Sequence, residues 1–363
     1  MASGCFSRRL VTVCNLREIE VRVARTFDVR VRPRLGHAST DRHLVLLFLL
    51  LLLVVLSGVA QPQQSPPPQS RDADRYTVRV AVDMVVLHAT VKNRKGIPVS
   101  GLDIGDFQVY EDGVLQQIKA FSHEDIPVTV GLVVDNSGSM GPKRPEVVAA
   151  ARAFARSSNP EDQMFLVNFN ENVSFGLPAG TPFTDKAVPL EIALSKIKSN
   201  GMTALYDAVA AALEHVKKGQ RDKKVLIVVS DGADNASKRK LDQIMALAKQ
   251  SDAIIYTLGL YEEGDPDRNP HVLKQLSEAT GGETFLPESV KHVIPICEQI
   301  ARDIRNQYTV VYAPTNRKQD GAYRAIELKA GTQQGRGRLR VRTRAGYYAP
   351  YKPQPLPAAS IRQ

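Results

Sequence analysis

The stretch VGLVVDNSGSMG, residues 130–141, decides how this chain is read. It carries a largely apolar run, Val128 to Val134, straight into Asp135, Ser137 and Ser139. An apolar run without polar alternation fits a strand buried on both faces, as in a parallel sheet covered by helices. In an open α/β sheet, ligands bind beyond the carboxyl ends of the strands, where the winding reverses. Asp-x-Ser-x-Ser in an irregular loop turns three oxygen-bearing side chains toward one point, and Gly138 gives the backbone the freedom to do so. Oxygen donors with few charges suit a hard cation, above all Mg²⁺, which prefers octahedral geometry and keeps several waters. Mn²⁺ and Ca²⁺ are the alternatives. The same residues also suit a plain capping loop, since Ser and Asp are favoured at helix starts.

Outward from this stretch, apolar strands alternate with amphipathic helices. Helices are expected over 143–157, 204–218, 239–250, 270–280 and 289–305, the fourth closed by Gly281-Gly282 as a C-cap signal. Strands are expected over Met164 to Phe169, Val225 to Val229, Ala253 to Leu260 and at Phe285. That order predicts a doubly wound, mostly parallel α/β sheet over 127–305. The flanks read differently. Residues 76–124 alternate at period two, with turn signals at Asn93 to Gly96 and Glu111-Asp112-Gly113, and predict a small sandwich-like β module. Alternation returns over 306–349, at Tyr308 to Tyr312, Tyr323 to Leu328 and Arg338 to Thr343. These strands are expected to complete the N-terminal β module, with the α/β domain inserted. Residues 61–75 read as a Pro/Gln/Ser-rich linker and 350–363 as a loose tail.

DNSGSM, then Gly201-Met202-Thr203-Ala204-Leu205, then Val229-Ser230-Asp231-Gly232 stand in the order of the three elements of a metal-ion-dependent adhesion site. On these residues the segment 127–305 resembles the von Willebrand factor A domains, whose fold is the Rossmann-like sheet expected above. The resemblance implies a metal held by Asp135, Ser137, Ser139, Thr203 and Asp231. It implies that Ser137 and Ser139 coordinate directly and that Thr203 does so in a ligand-bound state. Asp135 and Asp231 act mainly through water, and one position is left for an acidic group of a partner. Met202 departs mildly from the pattern, which often has a small residue there. Asp231-Gly232 taken alone also reads as a turn. GLDIGDFQVYEDGVLQQIKAF ahead of the core and RTRAGYYAP behind it resemble VWFA-related proteins of the acidobacterial type.

The chain has 363 residues and a formal charge of +10, of which residues 1–60 contribute nine Arg against four acids. Leu44 to Leu56 is an unbroken apolar run followed by small residues through Ala60. It is short for a spanning helix and fits a signal-peptide core, with residues 1–60 as leader; a signal anchor is the alternative. The protein is therefore expected to be exported, periplasmic or secreted. Cys5 and Cys14 fall in the leader, which strands Cys297 on an apolar helix face as a small buried hydrophobe. Asp207 reads as a carboxylate at a helix N-terminus. Asp234-Asn235 reads as a surface turn or a contact at the rim of the site.

His88, His123, His215, His271 and His292 are scattered without metal-ligand spacing. DNSGSMG does not fit the nucleophile-elbow pattern, and no dinucleotide or P-loop fingerprint follows a strand. A binding protein rather than an enzyme is expected: an adhesion protein whose cation captures an acidic residue of a protein partner. The rival reading is an envelope-associated polyanion binder. Arg336, Arg338, Arg340, Arg342 and Arg344 recur at every second residue, so a continuous strand would align them on one face. That ridge lacks interleaved aromatics, which argues against sequence-selective nucleic-acid binding.

Overall fold

A computed structural model describes residues 84–196, 198–261, 268–331 and 339–352. The expected leader, the linker, most of the tail, Val78 to Val82 and both Arg336 and Arg338 lie outside the described residues.

The N-terminal flank contributes β1 (Val85–Lys92), β2 (Phe107–Glu111), β3 (Val114–Gln116) and β4 (Ile118–Ser122). The α/β segment runs β5 (Val128–Asp135), α1 (Arg144–Ser157), β6 (Gln163–Phe169), β7 (Val173–Phe175), α2 (Ala187–Ser195) and α3 (Leu205–Val216). It continues with β8 (Lys223–Ser230), α4 (Leu241–Gln250), β9 (Ile254–Gly259), α5 (Pro270–Thr280), β10 (Thr284–Phe285) and α6 (Val293–Arg305). The C-terminal flank adds β11 (Tyr308–Tyr312), β12 (Tyr323–Ala330), β13 (Arg340–Arg342) and β14 (Gly346–Tyr348).

The central sheet has the order β10-β9-β8-β5-β6-β7, parallel except for the edge strand β7. All eight residues of β5 are buried, because neighbours flank it and helices cover both faces. Its side chains alternate between two cores. Val128, Val130, Leu132 and Val134 pack with Val147 and Phe154 of α1, Leu190 of α2 and Ile300 of α6. Val133 faces the other way, onto Leu205, Val209 and Leu213 of α3 with Ile244 of α4 and Leu273 of α5. Gly131 is required in β5, since a Cβ there would collide with the Phe165 ring and the Leu226 side chain. Cys297 lies in the first core, and burial pushes its thiol up to about 12, so it acts as a small hydrophobe.

The flanks interleave. β11 pairs antiparallel with β1 on one side and β4 on the other, and β12 lies between β14 and β2. The two four-stranded sheets share a core of Leu87, Val91, Phe107, Val109, Tyr308, Val310 and Leu328. α6 hands the chain directly to β11, so the sandwich rests against the end of the α/β segment. Lys92 of β1 crosses this junction to Asp303 of α6 at 2.6 Å and to Glu283 at 2.9 Å.

His88 of β1 sits near the same junction, its Nδ1 3.3 Å from Thr309 Oγ1. Burial drives its imidazole down to about 3, helped by the charges of Lys223 and Arg344. A depressed folded-state value makes the unfolded chain the better proton binder below its ordinary value of about 6.5. The contribution is therefore complete above that pH and is lost as pH falls toward 3. Between pH 7 and 5 the unfolding free energy is expected to drop by about 1–2 kcal/mol through this group. His88→Gln should flatten that part of the pH profile in urea melts; an unchanged slope would show that His88 does not set it.

Candidate metal site

β5 and β8 lie side by side, and the chain winds outward in opposite directions from them, to β6 on one side and β9 on the other. The crevice at their carboxyl ends is the switch point of the sheet. β5 ends in Asp135, whose carboxylate is held twice. Oδ1 accepts the Ser137 backbone N–H at 2.8 Å, and Oδ2 accepts the Ser230 hydroxyl at 2.6 Å. The next residues wind into a 3₁₀ turn, Gly138–Lys143, which carries Ser139. The Ser137 and Ser139 hydroxyls are 3.2 Å apart, and Ser139 donates to Asp231 Oδ2 at 2.5 Å. Asp231 follows directly on β8, and its Oδ1 accepts the Ala233 N–H at 3.1 Å.

The third element arrives through the loop before α3. Gly201 has φ +79, the left-handed region, and passes its carbonyl to the Gly138 N–H at 3.1 Å. Thr203 donates its N–H to Asn235 Oδ1 at 2.8 Å and accepts the N–H groups of Asn235 and Ala236, each at 3.0 Å. Among the described residues no hydrogen-bond partner takes its hydroxyl. Direct hydrogen bonds thus link Asp135, Ser137, Ser139 and Asp231, while Thr203 is joined to them through its loop. Asp135, Ser137, Thr203 and Asp231 are buried and Ser139 is exposed, so the cup opens at Ser139.

The electrostatics of the cup are set by two neighbouring carboxylates. Burial raises the Asp135 carboxyl to about 6 against the hydrogen bonds of Ser230 and Ser137, and the neighbouring Asp231 charge adds to the rise. The nearby cations are engaged elsewhere: Arg239 with Asp207, Lys143 with the Leu260 carbonyl, and Arg144 with Asn136 and the Leu194 carbonyl. None of the described Lys or Arg residues forms an ion pair with Asp135 or Asp231. Two buried carboxylates without a positive partner are costly, and a divalent ion would neutralise both. Among the described residues no group of three or more His, Cys, Asp or Glu is arranged to hold a metal. A cation in this cup would rest on hydroxyls as much as on carboxylates, which fits a hard ion that retains water.

Residues 129–294 match the family described as von Willebrand factor type A domain. This segment is a von Willebrand factor A domain. The inter-alpha-trypsin inhibitor heavy chain H2 of Mesocricetus auratus is 26% identical over 195 residues, covering 49% of this chain and 20% of that relative. The chain therefore spans about a fifth of the length of that curated relative. Among solved structures, a von Willebrand factor type A protein from Catenulispora acidiphila is 13% identical with a TM-score of 0.44, covering 74% of each chain. The vWF domain of the type V pili tip protein Mfa5 from Porphyromonas gingivalis is 15% identical with a TM-score of 0.43, covering 50% of this chain and 95% of that one.

Other side chains hold the loops around the A domain's cup, among them the Asp234-Asn235 pair that reads from sequence as a surface turn or rim contact. Ser230 holds Asp135, yet it reads as the last residue of a buried strand. Asp234 accepts the Tyr206 N–H at 2.8 Å and so caps the start of α3, while Asn235 reaches Thr203. Asp207 is structural, accepting the Lys238 and Arg239 N–H groups and pairing with the Arg239 guanidinium at 2.8 Å. No described hydrogen bond joins a His to the cup: His215 meets the Pro182 carbonyl and His271 meets Gln275.

The Arg series behaves as several separate groups. Its strand covers only Arg340–Arg342. Arg342 pairs with Glu283 at 2.8 Å, and Arg344 turns inward to the carbonyls of Lys249, Ser251 and Gly346. Arg340 is exposed. A single face bearing all of these side chains therefore does not form over the described residues, because the strand ends before Arg344.

Proposed function

We propose that this is an exported binding protein whose A domain holds a divalent cation, Mg²⁺ in the first instance, and uses it to capture a carboxylate of a protein partner. The observation that carries the reading is the pair of buried carboxylates, Asp135 and Asp231, with the Ser137 and Ser139 hydroxyls between them and no described Lys or Arg paired to either. Ser137, Ser139 and Thr203 would offer hydroxyl oxygens, and the two aspartates would neutralise the ion from behind. A cation held largely by neutral oxygens stays electrophilic and gains by accepting an outside carboxylate. Hydrolysis would need a base beside a metal-bound water. The hydrogen bonds of both cup carboxylates are already committed to Ser230, Ser139 and backbone N–H groups. Export rests on the apolar run of the N-terminal segment, and the described part contains no helix long and apolar enough to cross a membrane.

Acetate serves as the minimal partner carboxylate, and Mn²⁺ as a paramagnetic stand-in for the cation. The Mn²⁺-loaded full chain is expected to broaden the acetate methyl resonance, and Ser139→Ala to reduce that broadening several-fold by weakening the site. Broadening that Ser139→Ala leaves unchanged would contradict capture at this cup.

A further inference from the structure

We propose that Asn235 and Glu171 are positioning residues for the cation, acting on the Thr203 hydroxyl through consecutive backbone amides. The inference rests on the cation reading above. The segment from Asn200 to Ala204 has no regular secondary structure and is held chiefly by neighbouring loops. Its backbone ties to those loops are Asn200 N–H to the Asn136 carbonyl at 3.0 Å, Gly138 N–H to the Gly201 carbonyl at 3.1 Å, Ala204 N–H to the Asn170 carbonyl at 2.8 Å, and the Asn235 and Ala236 N–H groups to the Thr203 carbonyl at 3.0 Å each. Two ties at its centre come from side chains. Glu171 Oε2 accepts the Met202 N–H at 3.1 Å, and Asn235 Oδ1 accepts the Thr203 N–H at 2.8 Å.

These acceptors come from different loops. Glu171 lies in the hairpin between β6 and β7, packed against the Cα of Gly201, where an added Cβ would strike its carboxylate. Asn235 lies in the loop that begins with Asp231, and its own N–H returns to the Thr203 carbonyl at 3.0 Å. Asn235 therefore fixes Thr203 relative to Asp231, and Glu171 fixes the preceding residue relative to β6. Neither side chain hydrogen-bonds the Thr203 hydroxyl; both set the peptide planes from which it projects.

A hydroxyl is a useful ligand only when its oxygen is held at coordination distance. Mg²⁺ demands near-ideal octahedral geometry, whereas Ca²⁺ accepts irregular cages and longer bonds. Loosening Thr203 should therefore cost Mg²⁺ more than Ca²⁺, a selectivity change that a general loss of stability would not produce. Partners acting through a ligand typically account for about 10–100-fold in metal affinity.

The test is calorimetric titration of Mg²⁺, and separately of Ca²⁺, in excess acetate as the partner carboxylate, into the full chain and its variants Asn235→Ala, Glu171→Ala and Glu171→Gln. Both alanine variants are expected to weaken Mg²⁺ by about 10–100-fold and Ca²⁺ by less, while Glu171→Gln, which keeps the acceptor, stays within about threefold of the parent. Glu171 is exposed, so its variants keep the fold even if Asn235→Ala does not. Unchanged Mg²⁺ affinity in the alanine variants overturns the proposal, as does an equal loss for both ions. If Glu171→Gln is as weak as Glu171→Ala, charge rather than positioning is at work and the role of Glu171 falls. Absence of binding in the parent chain is a different failure, because it removes the cation reading itself.

Discussion

Lys92→Ala is expected to lower the unfolding free energy by about 3–5 kcal/mol, the cost of leaving a buried charge without its partner. The Lys92 ammonium lies 2.6 Å from Asp303 and 2.9 Å from Glu283, and the Asp303 side chain is only 1% exposed. Burial already raises the Asp303 carboxyl, and Lys92 is the main influence holding it down. Asp303 Oδ1 has no hydrogen-bond partner among the described residues, so Lys92 supplies most of its compensation. Arg342 is paired with Glu283 at 2.8 Å and makes no ion pair with Asp303. Urea unfolding at pH 7 measures the loss, and the deficit should shrink at lower pH, where protonated Asp303 needs no cation. Lys92→Met combined with Asp303→Leu should recover most of it, because an apolar pair of similar volume is often as stable as a buried ion pair. A single-variant loss below about 1 kcal/mol would place the pair among exposed salt bridges in strength and contradict its role in joining sandwich to A domain.

That junction was invisible in the sequence for a physical reason. Lys92 stands at a strand end beside the Asn93 to Gly96 turn, where a lysine reads as an ordinary polar boundary. Its burial depends on Asp303, 211 positions away. The parallel strands were legible because β5 and β8 are buried on both faces, which leaves a continuous apolar run. α1, α3, α4, α5 and α6 were legible from their apolar stripes. α2 was not: it has Pro189 inside it and exposes Val188 and Ile192, so no clean stripe marks it. β7 and β14 are three residues each, too short for alternation to register. The strand expected from Arg338 to Thr343 is Arg340–Arg342 in the described residues, and pairing to β1 covers only those three positions.

The site was readable to the depth of its side-chain oxygens. Asp135, Ser137 and Ser139 announce themselves by spacing, and Thr203 and Asp231 by their place before a helix and after a buried strand. What holds them was not readable. Ser230, Asn235 and Glu171 act through single hydrogen bonds between loops, and no local pattern encodes which loop meets which. Glu171 looks like any solvated hairpin residue until the sheet brings it beside Gly201.

Asp135→Asn should separate the cup's two energies, with opposite signs. In chelator the variant is expected to be as stable as the parent or more so, because burial penalises the Asp135 charge, while the amide oxygen still accepts the Ser137 N–H and the amide NH2 donates to the Ser230 hydroxyl oxygen. In Mg²⁺ it should lose what the parent gains. A ligand at 100 times its dissociation constant stabilises by about 2.7 kcal/mol. For a domain of this size that corresponds to roughly 5–10 °C in melting temperature. Thermal unfolding of the full chain, parent and Asp135→Asn, each in excess Mg²⁺ and in chelator, therefore tests the cation site most directly. The account predicts a Mg²⁺-dependent rise of that size in the parent, none in Asp135→Asn, and a chelator melting point in the variant at or above that of the parent. Equal Mg²⁺ shifts in both proteins, or none in the parent, would contradict it.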